Sequence, residues 1–177
     1  MNDLFPDPAP DFSDPIGLLK ACHQRILCYC DLLEKMIALT KQTERSEDTD
    51  KEIRDAANQI KRYFSTAGAL HHLDEEQSLF PVLIRTSMKM ADLIHALKQA
   101  HKQSDALWKQ LSPLLSDPTK PETLDSLEQV SEEFCAFQRE HVKQEESGVL
   151  AMAEHILSSD QLRNIGYSME EQRKSNR

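Results

Sequence analysis

Apolar residues recur every three or four positions through most of the chain, which is the spacing of one face of an α-helix. The first run starts at Asp14-Pro15, where Asp is a favoured N-cap and Pro a favoured first helical residue, and it ends near Thr40. Further runs span about residues 51–83, 89–111 and 121–157. Four long amphipathic helices joined by short connections predict an all-α, up-down-up-down four-helix bundle.

The segments outside these runs set the predicted boundaries. Residues 1–13 are rich in proline and predict an extended N-terminal arm, and residues 41–50 are polar and predict a solvated linker or the edge of a helix. Residues 158–177 predict a short polar C-terminal helix and tail. The bundle itself is expected to span residues 14–157, as one domain with a core of its own.

Composition and charge exclude several classes of protein. A net charge of −9 argues against a nucleic-acid partner, which needs a basic face. No apolar run approaches about 18 residues, so no membrane span is expected. The N-terminus lacks the basic flank and apolar core of a signal peptide. The four Cys lie within helical patterns, so we expect reduced thiols in a cytoplasmic protein.

Two of the apolar stripes contain the same polar motif, a His followed four and five residues later by Glu-Glu. The first copy begins at His71 with Glu75, and the second begins at His141 with Glu145. Residues four apart lie on one face of a helix, about 6 Å from each other, so each copy aims an imidazole and a carboxylate at one point. This spacing is typical of a metal site.

The other two stripes are also interrupted near the middle, by His23 and His101. A carboxylate that faces a core costs several kcal/mol unless it is paired or bound to a metal, and no Lys or Arg lies on the stripes. Carboxylate oxygen with imidazole nitrogen suits iron, manganese or zinc, and two carboxylates that can bridge favour a pair of metals. The predicted metal ligands are therefore His23, His71, Glu75, His101, His141 and Glu145.

The first motif has two registers, because His72 and Glu76 are also four residues apart. The apolar stripe that passes through Ile60 continues to His71 and Glu75, which favours that register, and His72 lies about 100° away around the helix. The register of His72 and Glu76 stays open as the alternative.

Two further carboxylates keep alternatives open elsewhere. Glu146 is the alternative to Glu145 in the second motif. Asp105 follows His101 by four residues, so it is a candidate ligand or a hydrogen-bond acceptor for a ligand.

With these residues in view, residues 14–157 resemble the hemerythrin-like family, which is known for a His-His-Glu cation-binding signature. The most specific match is the segment from His71 to Pro81, which resembles the motif of the family's second helix. His23 and His101 match the histidines of the first and third helices, and His141 with Glu145 matches the fourth. The resemblance implies a non-heme di-iron centre that is bridged by oxo and carboxylate groups.

The third helix departs from the pattern of the oxygen-carrying members, which have two His there, four residues apart. Here Leu97 and Asp105 flank His101, so the fifth His is absent. This argues against dedicated oxygen carriage and resembles members that are linked to iron–sulfur repair, nitric oxide or redox sensing. We expect an open site that binds or reacts with dioxygen, peroxide or nitric oxide, beside a small apolar pocket of Leu97 and Trp108. The alternatives are a metal store or metal-sensing module without turnover, and a structural zinc or manganese site.

Overall fold

The computed structural model describes residues 10–175, and within that range the chain is helical and has no strand. The predicted arm therefore lies outside the described residues up to residue 9, as does the tail at residues 176–177. None of the helices in residues 10–175 combines the length and apolar character needed to cross a membrane. The α-helices are α1 (Pro15–Thr40), α2 (Glu47–Tyr63), α3 (Ala69–Asp74), α4 (Phe80–Thr86), α5 (Ala91–Leu114), α6 (Leu124–Glu145), α7 (Ala151–Ile156) and α8 (Ser159–Ser175).

Helix α2 begins at Glu47, a few residues before its predicted start near residue 51, so the second half of the segment 41–50 is the edge of a helix, which was one of its two predicted forms. Ser46 is the N-cap, and its side chain accepts a hydrogen bond from the backbone N–H of Thr49. Glu47, Asp48 and Asp50 lie in the first turn, where carboxylates interact favourably with the helix dipole. The acidic residues of this segment therefore form the first turn of a helix.

Three π-helical turns interrupt two of the predicted helices. They lie at Phe64–Gly68, between α2 and α3, at Glu75–Leu79, between α3 and α4, and at Glu146–Leu150, between α6 and α7. A π-turn contains an extra residue and shifts every later residue around the helix. The prediction assumed 3.6 residues per turn along each whole helix, and this spacing is wrong beyond the π-turns. Phe80 and Leu150 are fully buried, although neither lies on the apolar stripes predicted with that spacing.

The core consists of two apolar clusters with a layer of polar side chains between them. Helix α1 packs against α2 and α6, and α5 packs against α6. Along each helix the apolar cluster changes at the polar layer: Leu19 of α1 belongs to one cluster and Ile26 to the other, with His23 between them. In α5, Leu97 and Leu107 lie in different clusters on either side of the polar layer. The polar layer thus crosses the middle of the core.

Helix α8, predicted as a short polar helix, packs against α1, α3 and the second π-turn. Ile165 and Met169 are buried in its apolar face. A Cβ atom on Gly166 would lie 1.8 Å from the backbone oxygen of Phe12, so only glycine allows this approach of the N-terminal segment. Arg173 reaches the α3 residue Asp74, which immediately precedes Glu75.

Candidate metal centre

The polar layer contains the six side chains that the sequence predicted as metal ligands. Each of these residues is at most 4% exposed. α1 positions His23, α5 positions His101, and the two repeated motifs supply the remaining four. The layer consists of His23, His71, Glu75, His101, His141 and Glu145.

Glu145 lies at the centre of the layer and extends one oxygen to each side. Its Oε1 is 3.1 Å from Nε2 of His101 and 3.1 Å from Nε2 of His141. Its Oε2 is 3.2 Å from Nε2 of His23. A carboxylate in this position can bridge two cations that are bound to different histidines.

Glu75 lies opposite and contacts the same group of histidines. Its Oε2 is 3.3 Å from Nε2 of His101 and 3.6 Å from Nε2 of His71, and its Oε1 is 3.9 Å from Nε2 of His23. Four of the residues, His23, His71, Glu75 and Glu145, each offer a donor atom within 4.8 Å of the other three.

Most of these nitrogen and oxygen atoms do not form hydrogen bonds with each other, although they are close. The contact of His101 Nε2 with Glu145 Oε1 has hydrogen-bond geometry. Within residues 10–175, the buried atoms of this layer that have no hydrogen-bond partner are Nε2 of His23, both ring nitrogens of His71 and of His141, both oxygens of Glu75 and Oε2 of Glu145.

Such unpaired atoms are costly in a protein core, at about 1–3 kcal/mol for each neutral group and more for charged ones. Ligand atoms about 2.1 Å from a metal and at right angles to each other lie about 3 Å apart, and the closest contacts in this layer have that separation. Lone pairs that point at a shared point, with no proton between them, are what a cation requires. The donor types and their geometry both fit a metal site.

In each motif the second Glu contacts Nδ1 of a histidine on another helix, while Nε2 of that histidine faces the layer. Glu76 Oε1 is 2.7 Å from Nδ1 of His101, and Glu146 Oε1 is 3.2 Å from Nδ1 of His23. These bonds turn the Nε2 atoms towards the layer, as carboxylates do for the histidines of metal sites. The sequence prediction treated Glu76 and Glu146 as alternative ligands, and the repeated Glu-Glu pair was the signal for this positioning role.

The metal-free layer distributes its protons unequally. Burial, and then the charge of Glu145, raise the pKa of Glu75 to about 8. Burial disfavours the charged form of His101, but its hydrogen bond to Glu145 and its close contact with the Glu75 carboxylate outweigh that effect and raise its pKa to about 10. Burial also disfavours the charged form of Glu145, yet the hydrogen bond with His101 and the close contacts with His141 and His23 hold its pKa well below the usual range. Metal binding at neutral pH would therefore release protons from Glu75 and His101.

His72 also lies beside the layer, although the sequence placed it about 100° away. Its ring stacks on that of His101, with centroids 4.1 Å apart and planes 12° from parallel. It is half-buried, and its burial, with the charge of His101, lowers its pKa to about 3. Gly68 lies four residues before His72, and both residues line one cavity in the bundle. The first π-turn and α3 therefore present these two residues to the bundle interior.

That cavity has a volume of about 290 Å³ and extends from the surface to His72. Trp108 lines it, as predicted, but Leu97 does not and packs in the apolar cluster on the far side of the layer. Asp105 is exposed at the cavity and belongs to neither group of converging donor atoms in the described part of the chain. The other lining residues of note are Ile26, Phe64, Phe134, Ser104 and Gln138.

Comparison with known proteins agrees with the chemistry of the layer. A protein of Haemophilus influenzae described as uncharacterized is 28% identical to this chain over 173 residues, which cover 98% of each of the two chains. The family model "Hemerythrin HHE cation binding domain" matches residues 14–153, a range that includes all six residues of the layer. The chain therefore belongs to the hemerythrin HHE cation-binding family.

Proposed function

We propose that this protein binds two iron ions in the polar layer and uses them to bind or react with dioxygen, peroxide or nitric oxide, in sensing, redox chemistry or stress response. The convergence of buried donor atoms that do not hydrogen-bond each other supports a metal site. Two carboxylates within reach of four imidazoles support a pair of metals over a single ion. Manganese and zinc accept the same donors.

The proposed ligand set is the one predicted from the sequence. His23 and His71 lie on one side of Glu145, and His101 and His141 lie on the other. Glu145 and Glu75 are the bridging carboxylates. Bound iron would supply redox and Lewis-acid chemistry. The proposal includes the up-down-up-down order of the four long helices, and a cytoplasmic location in which the thiols stay reduced.

The protein's own residues limit what reaches the layer. The cavity beside His72 holds about 290 Å³ and has aromatic walls that include Phe64, Trp108 and Phe134. Its buried polar residues include Gln138 and Ser104, and Nε2 of Gln138 donates a hydrogen bond to Oγ of Ser104. This volume is at the small end of the range for pockets of drug-sized molecules, about 300–1,000 Å³, and together with the aromatic walls it favours a diatomic molecule or peroxide over an organic substrate.

The test is metal analysis of the purified protein, combined with visible spectra in the presence and absence of air and on titration with azide or nitric oxide. We expect two irons per chain and a spectrum that both ligands change. Glu145→Gln should reduce the metal content, because an amide is neutral and bridges poorly. Glu140→Gln is the matched control, since Glu140 is exposed on the same helix.

The outcomes separate the competing functions. One colourless metal per chain would replace the proposal with a structural zinc or manganese site. Two irons that respond to no small ligand would indicate a metal store or a metal-sensing module without turnover. Full metal content in Glu145→Gln would place the metals elsewhere.

A further inference from the structure

Helix α8 contacts the segment around Glu75 at two points, one on either side of that residue along the chain. Before it, Asp74 accepts two hydrogen bonds from the guanidinium of Arg173, at 2.8 Å and 2.5 Å. After it, Oγ of Ser78 is bonded to two side chains of α8, Ser168 at 2.8 Å and Gln172 at 2.7 Å. Asp74 and Ser78 are 1% and 3% exposed, so α8 meets this segment through buried polar contacts.

The second copy of the motif has different residues at these two positions. Counted from His141 in place of His71, the corresponding residues are Gln144 and Gly148. Gln144 is exposed and donates a hydrogen bond to Glu140 of its own helix, and glycine has no side chain that could bond to another helix. The two polar residues that contact α8 are therefore a feature of the first copy and are not required by the motif itself.

The position of Glu75 depends on its backbone more than that of Glu145 does. Within residues 10–175, neither oxygen of Glu75 has a hydrogen-bond partner, whereas Oε1 of Glu145 is bonded to His101. Glu75 is also the first residue of the π-turn Glu75–Leu79, which is a rare form of the backbone. Contacts that fix this turn from both sides therefore fix the Glu75 carboxylate as well.

We propose that α8 positions Glu75 for metal binding, and that Arg173 is the positioning residue that fixes the register of α8 on the motif. This inference rests on the proposed metal site. A buried ion pair is often no more stabilising than apolar residues of the same volume, whereas two directed bonds from a guanidinium to a carboxylate specify one geometry. With this geometry, Oε2 of Glu75 lies 3.3 Å from Nε2 of His101. Without Arg173 the turn is held at Ser78 alone, and the carboxylate shifts relative to the histidines.

The experiment titrates metal-free full-length protein with Zn²⁺, and with Fe²⁺ under anaerobic conditions, by calorimetry. Arg173→Met removes the ion pair, and Arg173→Lys keeps the charge but cannot form the two parallel bonds. Arg163→Met is the matched control, because Arg163 lies on α8 and pairs with the exposed Asp160. We expect at least one metal to bind about tenfold more weakly in Arg173→Met, with a smaller loss in Arg173→Lys and none in Arg163→Met.

A spectrum separates positioning of a ligand from a general loss of stability. Circular dichroism first confirms that each metal-free variant is folded at the temperature of the titration. Ser78→Ala, which removes no charge, replaces Arg173→Met if that variant does not fold. The visible spectrum of the Co²⁺-loaded protein then reports the coordination geometry, and we expect it to change in Arg173→Met and to stay the same in Arg163→Met. Unchanged affinities and an unchanged spectrum in the folded variant overturn the inference and leave the proposed function intact. No metal binding by the unsubstituted protein overturns both.

A second measurement needs no substitution. Because coupling between two sites is reciprocal, bound metal should stabilise the docked position of α8. Hydrogen exchange of the α8 amides should therefore be slower in the Zn²⁺-loaded protein than in the metal-free protein. Equal exchange rates in α8 with and without metal would show that the helix and the site are not coupled, and the inference would fail.

Discussion

The ion pair between Asp74 and Arg173 is the point where α8 is fixed to the metal-site helix. Asp74 is 1% exposed, and Arg173 donates to both of its oxygens, Nη1 to Oδ1 at 2.8 Å and Nη2 to Oδ2 at 2.5 Å. Burial raises the pKa of Asp74, and the guanidinium only partly offsets that effect. Arg173→Met removes the charge and keeps most of the side-chain stem, so Asp74 would be left buried without its cation.

The expected loss in the free energy of unfolding depends on how exposed the two side chains are. Removal of one partner from a fully buried pair costs about 3–5 kcal/mol. The Arg173 side chain is 25% exposed, so water can partly solvate the remaining carboxylate, and we expect a loss of about 2–3 kcal/mol. Arg163→Met is the control, because Arg163 pairs with Asp160 on the same helix with side chains 75% and 82% exposed. That change should cost at most about 0.5 kcal/mol.

The assay is urea unfolding of the metal-free variants, with the free energy of unfolding taken from the linear dependence on urea. Asp74→Asn combined with Arg173→Met should be more stable than Arg173→Met alone, because the double variant has no buried charge. If Arg173→Met and Arg163→Met lose the same stability within about 0.5 kcal/mol, the pair contributes nothing beyond a surface contact and the reasoning is refuted.

Three further predictions follow from the layer and from α8. Chelation of the metals should lower the melting temperature, since a ligand present at 100 times its Kd stabilises the native state by about 2.7 kcal/mol; equal melting temperatures after verified metal removal would contradict this. The free energy of unfolding of the metal-free protein should fall from pH 6.5 to pH 8. The pKa values of Glu75 and His101 are raised in the folded protein, to about 8 and about 10. In this pH window the folded protein therefore holds protons that the unfolded chain has released, and the stabilisation is lost as the pH rises. Urea midpoints that are constant or rise with pH would contradict this prediction. Gly166→Ala should cost about 1–3 kcal/mol, because its Cβ would meet the backbone oxygen of Phe12; Gly148→Ala, which meets only a Leu93 side chain at 3.2 Å, should cost less in the same unfolding assay.

The helices and the polar layer were predictable because both depend on local spacing. An apolar face that repeats every 3.6 residues must be buried, and a His or Glu on that face is costly unless it has a partner. This argument identified the residues that the structure brings together, such as His23 and Glu145. It located the layer without any knowledge of how the helices pair, since only the height of each interruption along its helix was needed.

The π-turns were not predictable by the same argument, because it assumes a constant number of residues per turn. After Glu75 the chain buries both Leu79 and Phe80, and after Glu145 it buries both Val149 and Leu150. Two adjacent buried residues at the same point of two related motifs were the available signal. A π-turn is stabilised by tertiary packing, and such turns are frequent at functional sites. The apolar stripe of a single helix gives no information on either.

His72 is a fifth imidazole beside the layer, but its position does not make it the fifth histidine ligand of an oxygen carrier. The sequence reasoning counted imidazoles helix by helix, found one on the third helix and concluded that the fifth was absent. The structure shows that an imidazole from the adjacent helix can stack on His101 and reach the same side of the layer. The two stacked rings are nearly parallel, so their in-plane nitrogen lone pairs cannot both point at one metal, and the proposed site keeps four imidazoles. The choice between carriage and reaction then depends on the environment of the bound molecule, which here includes a cavity with aromatic walls and the Gln138 side chain. We expect the iron site to be oxidised by air, and an oxygen complex that forms reversibly and survives many cycles without oxidation would contradict this.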